Sequence, residues 1–329
     1  MDFYRNKKVL ITGGLGFLGS NLAIALVGLG AKVTIFDAMM PLYGGNFFNI
    51  ESIKDKAEVI IGDIRDSVKL GEGVRGKDLI FHIAAQTSHV DSMKDPLLDI
   101  DINCRGNIIF LESCRNNNPN VKIVYTGTRG QYGKVEYAPV DEKHTLNPTD
   151  IYGANKTAGE QYHFIYSNAY GLRVCSLRVN NTYGPRHQMK HSFYGILNWF
   201  IRLAMEGKAI KVYGEGSQLR DYNYVDDVTN AFLLAGANEK ANTKIYNLGS
   251  GKPIKFIDLV KKVIEATGSG SFEKIPWPED RKMIETGDYV ADFNKIKNEL
   301  GWDPVIGMDE GLQRTIDFYK KYRDKYWQV

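Results

Sequence analysis

The pentapeptide Tyr152-Gly-Ala-Asn-Lys156 sets a phenol and a primary amine four residues apart, which places both on one face of a helix. A tyrosine titrates near pH 10, so it works as a base at neutral pH only where cations stabilise the phenolate. Lowering it by about three pKa units takes roughly 4 kcal/mol, within reach of two cations in a water-poor cleft. Lys156 is one such cation, and the second must come from elsewhere. Standing alone, the pair reads as an ordinary aromatic–lysine helix contact.

The second cation is suggested by the octapeptide TGGLGFLG at 12–19, which lies between the apolar run KVLIT and the helical pattern Asn21–Gly28. Gly13, Gly16 and Gly19 take the spacing GxxGxxG. The first permits a tight turn, the second lets a pyrophosphate approach the amides at a helix N-terminus, and the third lets that helix pack close to the sheet. Asp37 ends the next apolar run, KVTIFD, near the ~20-residue offset at which a carboxylate accepts hydrogen bonds from adenosine ribose hydroxyls. No Arg or Lys follows in DAMMP to receive a 2′-phosphate, so the pattern favours NAD over NADP, and an oxidised nicotinamide is the second cation. Asp63, in GDIR, has two compatible readings: an adenine contact and a helix cap.

These residues need a scaffold, and short β-branched runs alternate with helical stretches: KVLIT, KVTIFD, EVIIGD, LIFHIAA, then Leu97–Arg115, then KIVYTG. Such alternation predicts right-handed βαβ units, a parallel sheet and an α/β, doubly wound (Rossmann) fold. The strands are apolar without clean alternation, as expected where helices cover both faces. After about Gly184 the chain turns to loops rich in Gly and Pro, with short elements around Val212, Tyr246 and Ile275. The stretch DDVTNAFLLAGA reads as a helix returning to the main sheet, with Asp226 or Asp227 as its cap. The expected division is a nucleotide-binding domain over 1–181 plus about 225–250, and a smaller, discontinuous substrate lobe over about 182–224 and 251–329.

The 329 residues are enough for a full core, and 43% hydrophobic with 25% charged residues is ordinary for a soluble globular protein. A formal charge of +3 is too small to imply a nucleic-acid partner. Cys104, Cys114 and Cys175 lack the short paired spacings of zinc or dithiol sites, and the histidines at 82, 89, 144, 163, 187 and 191 form no HExxH array, so no metal is expected. The start MDFYRNKK is polar and its following apolar run is strand-sized, so no signal peptide or membrane anchor is expected and the cytoplasm is the inferred location.

TGGLGFLG, Asp37, HIAAQTS at 82–88, Thr128 four residues before the Tyr132 of a YG pair, Tyr152 with Lys156, LRVNNTYGPR, RDYNYVDD and LGWDP…DEGL follow one another over nearly the whole chain. Together they resemble the extended short-chain dehydrogenase/reductase family and, within it, the nucleotide-sugar epimerases. The resemblance implies that Thr128 holds the sugar 4-hydroxyl, Tyr152 removes its proton, and Lys156 partners both phenolate and nicotinamide ribose. The implied reaction is NAD-dependent 4-epimerisation of a UDP-hexose through a transient 4-keto sugar, with a cofactor that stays bound because no net redox change occurs.

The same resemblance implies cofactor contacts from Gly13, Gly16, Phe17, Leu18, Gly19, Asp37, Asp63, Ile64, Ala84, Ala85 and Gln86. It assigns the diphosphate to Asn181 and Arg220, with Arg281 a further cation beside the similarly placed Lys282. Tyr289 falls at a position that gates room for an N-acetyl group, a bulky residue favouring plain UDP-glucose and UDP-galactose; an N-acetylated hexose stays open, since Gly127 and Gly130 leave space. Related 4,6-dehydratases carry an acid pair after the threonine and decarboxylases a glutamate two before the tyrosine, but Arg129 and Gly130 stand there. The resemblance also implies a homodimer, with Leu97–Asn116 and Tyr152–Asn168 paired with their copies as a four-helix bundle, although their apolar residues equally suit sheet-facing core.

Overall fold

The computed structural model describes residues 2–40 and 43–327, which leaves Pro41 of DAMMP outside. Six apolar runs become strands: β1 (Lys8–Thr12), β2 (Lys32–Asp37), β3 (Ala57–Ile61), β4 (Leu79–His82), β5 (Lys122–Thr128) and β6 (Arg173–Val179). With the edge strand Ile245–Asn247 they form one seven-stranded sheet in the order 245–247, β6, β5, β4, β1, β2, β3. Every pairing in it is parallel. The order reverses at β1, which pairs with β2 on one side and β4 on the other, and a crevice opens at the carboxyl ends of strands flanking such a switch point.

The helices include α1 (Phe17–Gly28), α2 (Ser67–Val74), α3 (His89–Lys94), α4 (Pro96–Ile100), α5 (Gly106–Asn117), α6 (Ile151–Tyr170), α7 (Ile196–Met205), α8 (Val225–Ala237) and α9 (Phe256–Thr267); α1 and α8 pack on one face of the sheet and α2, α5 and α6 on the other. Val9 and Ile11 of β1 join a core with Leu22 and Leu26 of α1 and Phe232 of α8. Leu10 between them joins the opposite core with Leu70, Phe110 and Leu111. Both pleat faces are therefore apolar, which explains the unbroken hydrophobic runs. A π-helical turn, Asp101–Arg105, bridges α4 and α5 within the helical stretch expected from Leu97.

A second core gathers Leu197, Ile201, Leu259, Val260, Leu312 and Tyr319 from α7, α9 and the helix Met308–Tyr326. Strands Ala209–Tyr213 and Ser271–Ile275 pair beside it. The segment 251–329 is not confined to this lobe: Ile296, Leu300 and Trp302 are buried in the core of the large sheet. Asp227 explains part of that return. It does not cap α8, which starts after Tyr224 without a side-chain cap; its carboxylate accepts the amides of Val305 (3.1 Å) and Ile306 (3.0 Å), while its carbonyl accepts the Trp302 indole N–H. Among the described residues no helix is long and apolar enough to cross a membrane, and no cluster of three or more His, Cys, Asp or Glu is placed to hold a metal.

Candidate active site

A cavity of about 720 Å³ lies over the carboxyl ends of the central strands and is closed on the far side by the smaller lobe. Its floor begins at the glycine turn. Gly13 has φ +71°, and a Cβ there would stand 2.9 Å from the Ala84 backbone; at Gly19 it would stand 2.3 Å from the Gly13 carbonyl. At Gly16 the same atom would meet only that carbonyl, at 3.3 Å, a tight contact but far less severe than at Gly13 or Gly19. Gly13, Gly16, Phe17 and Leu18 line the cavity and no side chain caps the first turn of α1. The amide end of a helix is thus left for an anion, as a dinucleotide pyrophosphate requires. Gly19 stays off the wall and serves helix–turn packing.

Asp37 borders the same floor, with Oδ2 accepting the Leu15 amide (2.9 Å) and Oδ1 the Met39 amide (2.8 Å). Burial raises its pKa while these two bonds oppose the rise. Asp63, also on the wall with Ile64, is gripped by Arg65 at 2.6 Å and 2.9 Å, and these bonds keep its carboxyl below the usual range. The helix cap that Asp63 was expected to share belongs to Asp66, which accepts the Val68 and Lys69 amides. Ala84 and Ala85 reach the cavity, but Gln86 does not: its amide group closes on the backbone of Ser88 and it is buried. Thr12 holds this loop against the glycine turn by accepting the Ile83 and Ala84 amides.

Thr128, Tyr152 and Lys156 meet on one wall. Thr128 ends β5 and caps the turn Arg129–Gln131, its hydroxyl accepting the Gly130 amide and lying near enough to the Tyr152 phenol to act on it. Tyr152 sits in the first turn of α6, buried, and its amide donates to Ser92 Oγ. Burial pushes the phenol well above its ordinary value, while the Thr128 hydroxyl and the Arg129 charge pull it down. Lys156, one helical turn on, places Nζ 4.3 Å from the centre of the Tyr125 ring. Burial pushes its ammonium down to about 7 against the opposing charges of Glu160 and Asp99.

Further residues on this wall carry no local pattern in the sequence. His89 Nδ1 pairs with Asp150 Oδ2 at 2.6 Å, its ring standing edge-on to Tyr152 with centroids 4.9 Å apart. Asp150 is also the N-cap of α6, through the Gly153 amide. Arg129 Nε donates to Asn181 Oδ1 (3.2 Å), and Asn181 Nδ2 donates to the Asp221 carbonyl. Asn180 lines the cavity with neither side-chain atom bonded. Helical caps and strand-end asparagines recur throughout proteins, so only the fold distinguishes these.

Arg220 also lines the cavity, ion-paired with Glu285 and donating to the Gly287 carbonyl at 2.6 Å. Arg281, on the short helix Glu279–Met283, reaches the cavity, whereas its neighbour Lys282 does not. Tyr289 does not reach it either. At 1% exposure it packs with Tyr132, Val140 and Ala291, and the Arg129 guanidinium lies over its ring at 5.3 Å, so the arginine occupies the place expected for the gate. The far end of the cavity is aromatic, with Tyr213 and Trp277 rings 5.3 Å apart beside Phe200 and Phe256.

The model of the NAD dependent epimerase/dehydratase family matches residues 9–249. A putative UDP-glucose 4-epimerase of Methanocaldococcus jannaschii is 35% identical over 318 residues, 95% of this chain and 98% of that protein. A dTDP-glucose 4,6-dehydratase of Streptomyces griseus is 30% identical over 328 residues, 97% of this chain and 96% of the other. The crystal structure of UDP-glucose 4-epimerase from Thermotoga maritima with UDP-glucose superposes with a TM-score of 0.86 at 30% identity, covering 96% of this chain and 99% of that one. The glycine cradle and the amide-held Asp37 fit the dinucleotide that this match requires. On that sequence match and that floor, the chain belongs to the NAD dependent epimerase/dehydratase family, with NAD as its cofactor.

Proposed function

We propose that the protein interconverts the C4 epimers of a UDP-hexose, either UDP-glucose and UDP-galactose or the N-acetylated pair. The observation that carries this reading is the meeting of Tyr152, Thr128 and Lys156 in one cavity, beside Arg129 and Gly130 where an eliminating relative carries carboxylates. NAD, held by the Gly13–Gly16 turn, Asp37 and Lys156, supplies reversible hydride acceptance when bound. Tyr152, acting as the phenolate, takes the proton of the 4-hydroxyl and returns it after the sugar has turned, while Thr128 keeps that hydroxyl in line. Lys156 in its charged form, with the positive nicotinamide, is the cation that would stabilise that phenolate before the transfer. Asn181, Arg220 and Arg281 hold the diphosphate, where guanidinium forks suit phosphate oxygens.

The His89–Asp150 pair favours a second reading, 4,6-dehydration, because it puts an acid–base group beside Tyr152 that replaces the missing carboxylates. NMR of the holoprotein incubated with UDP-glucose, UDP-galactose, UDP-N-acetylglucosamine and dTDP-glucose separates the two. A new C4 epimer supports the first reading, and a C6 methyl signal supports the second. Unchanged C4 configuration with every UDP-hexose overturns the first.

We further propose a cytoplasmic homodimer joined through the α4–α5 and α6 faces, where Leu97 is 75% and Ile165 55% exposed. Free cysteines at 104, 114 and 175 suit a reducing compartment. Sedimentation equilibrium at the monomer mass would remove the dimer.

A further inference from the structure

We propose that the sugar accepted by this cavity carries a carboxylate and that Arg129 is the residue that pairs with it, an inference that rests on the epimerase reading and narrows its substrate class. Of the charged groups that line the cavity, Arg220 is paired with Glu285 and Asp63 with Arg65, whereas Asp37, Lys156, Lys211, Arg281 and Arg129 have no ion pair among the described residues. The bonded partners of Arg129 are neutral, namely Asn181 Oδ1 at 3.2 Å from Nε and Thr286 Oγ1 at 3.4 Å from Nη1, with the Tyr289 ring beneath. Among the described residues no carboxylate is bonded to it. A guanidinium has five N–H donors, and these two bonds leave three unspent. Burial and the neighbouring Arg220 charge hold its pKa below the ordinary guanidinium value.

The position of Arg129 says which part of the ligand supplies that anion. It follows Thr128 directly and its charge acts on the Tyr152 phenol, while its Nε bonds Asn181 and Arg220 lies near, so it stands between the reacting hydroxyl and the diphosphate end of the cavity. The glycine turn that takes the dinucleotide phosphates lies on the floor, and Arg220 and Arg281 serve the substrate diphosphate. A neutral hexose offers Arg129 only hydroxyl dipoles, whereas a uronic acid or a carboxyl-bearing ether offers two oxygens that match the guanidinium fork. Asn180, 6% exposed with both side-chain ends unbonded, adds a donor and an acceptor on the same wall.

Calorimetric titration of the NAD-loaded protein with UDP, UDP-glucose, UDP-glucuronate and UDP-N-acetylmuramate tests this. The wild type should bind one of the two carboxylate-bearing ligands at least about tenfold more tightly than UDP-glucose. Arg129→Gln should weaken that ligand at least about tenfold more than it weakens UDP or UDP-glucose, and Arg129→Lys should recover part of the loss because charge survives without the fork. Equal weakening of all four would assign Arg129 to the diphosphate and overturn the proposal while leaving the epimerase reading intact. Absence of any preference for a carboxylate in the wild type would overturn it without recourse to a variant. Failure of all four nucleotides to bind would overturn the epimerase reading and this proposal together.

Discussion

The floor and the far wall of one cavity handle anions by opposite means. On the floor, Gly13, Gly16, Phe17 and Leu18 offer backbone amides at an uncapped helix end, and the nearby carboxylates Asp37 and Asp63 are held by amides and by Arg65. On the far wall the work falls to the side chains Arg129, Arg220 and Arg281, drawn from three separate parts of the chain. A backbone device fits into one short peptide and tolerates almost no Cβ. A side-chain device tolerates a changed backbone but depends on its counter-ions, so Arg220 with Glu285 and Arg129 without a carboxylate do different things. Tyr152, the proposed base, lines the same cavity.

The sharpest break removes that base. Tyr152→Phe should cut turnover by about 10³-fold, the scale of a lost acid–base group, while NAD content and UDP affinity stay as they were. Rates by NMR and absorbance of released cofactor check this; unchanged turnover would remove the proton-transfer role. Next in size is a break confined to the floor. Gly19→Ala forces a Cβ to within 2.3 Å of the Gly13 carbonyl, and should cost about 3 kcal/mol in denaturant unfolding and lose NAD. Gly16→Ala, with a nearest atom at 3.3 Å, should lose NAD affinity with little change in unfolding midpoint. Equal destabilisation by both would deny the distinction between packing and binding.

On the far wall, Arg220→Gln should weaken UDP about tenfold by calorimetry and leave NAD retention untouched, the reverse of the glycine variants. A smaller, pH-dependent effect tests the buried Lys156. Between its folded value of about 7 and its ordinary 10.5 the unfolded chain binds the proton and the folded one releases it, so stability rises with pH. The slope is at most about 1.4 kcal/mol per pH unit. Lys156→Met should lack that component in unfolding experiments across the interval; parallel curves would mean the amine is not desolvated.

Burial also separates what was legible from what was not. Tyr289, three residues before Asp292, reads as a gate by position, yet it packs behind Arg129, because a neighbour from 160 residues earlier in the chain reaches the cavity first. Gln86 lies in a loop whose other members do line the site, but its amide turns inward to satisfy Ser88. The Asp63 cap passes to Asp66, three residues on, because Asp63 is taken up by Arg65.

What the sequence determined by itself is whatever local physics writes into a short segment: parallel strands from β-branched apolar runs, a phosphate-ready turn from three glycines, and a phenol and an amine on one helix face from a four-residue spacing. Those features need only a few neighbouring residues, so their signal survives in one dimension. Only the tertiary structure decided that His89 meets Asp150, that Glu285 neutralises Arg220, that Arg129 displaces Tyr289 from the wall, and that Trp302 returns to the large sheet. Each of those joins residues far apart in the chain, and long-range contacts are set by how whole layers pack, which no single segment encodes.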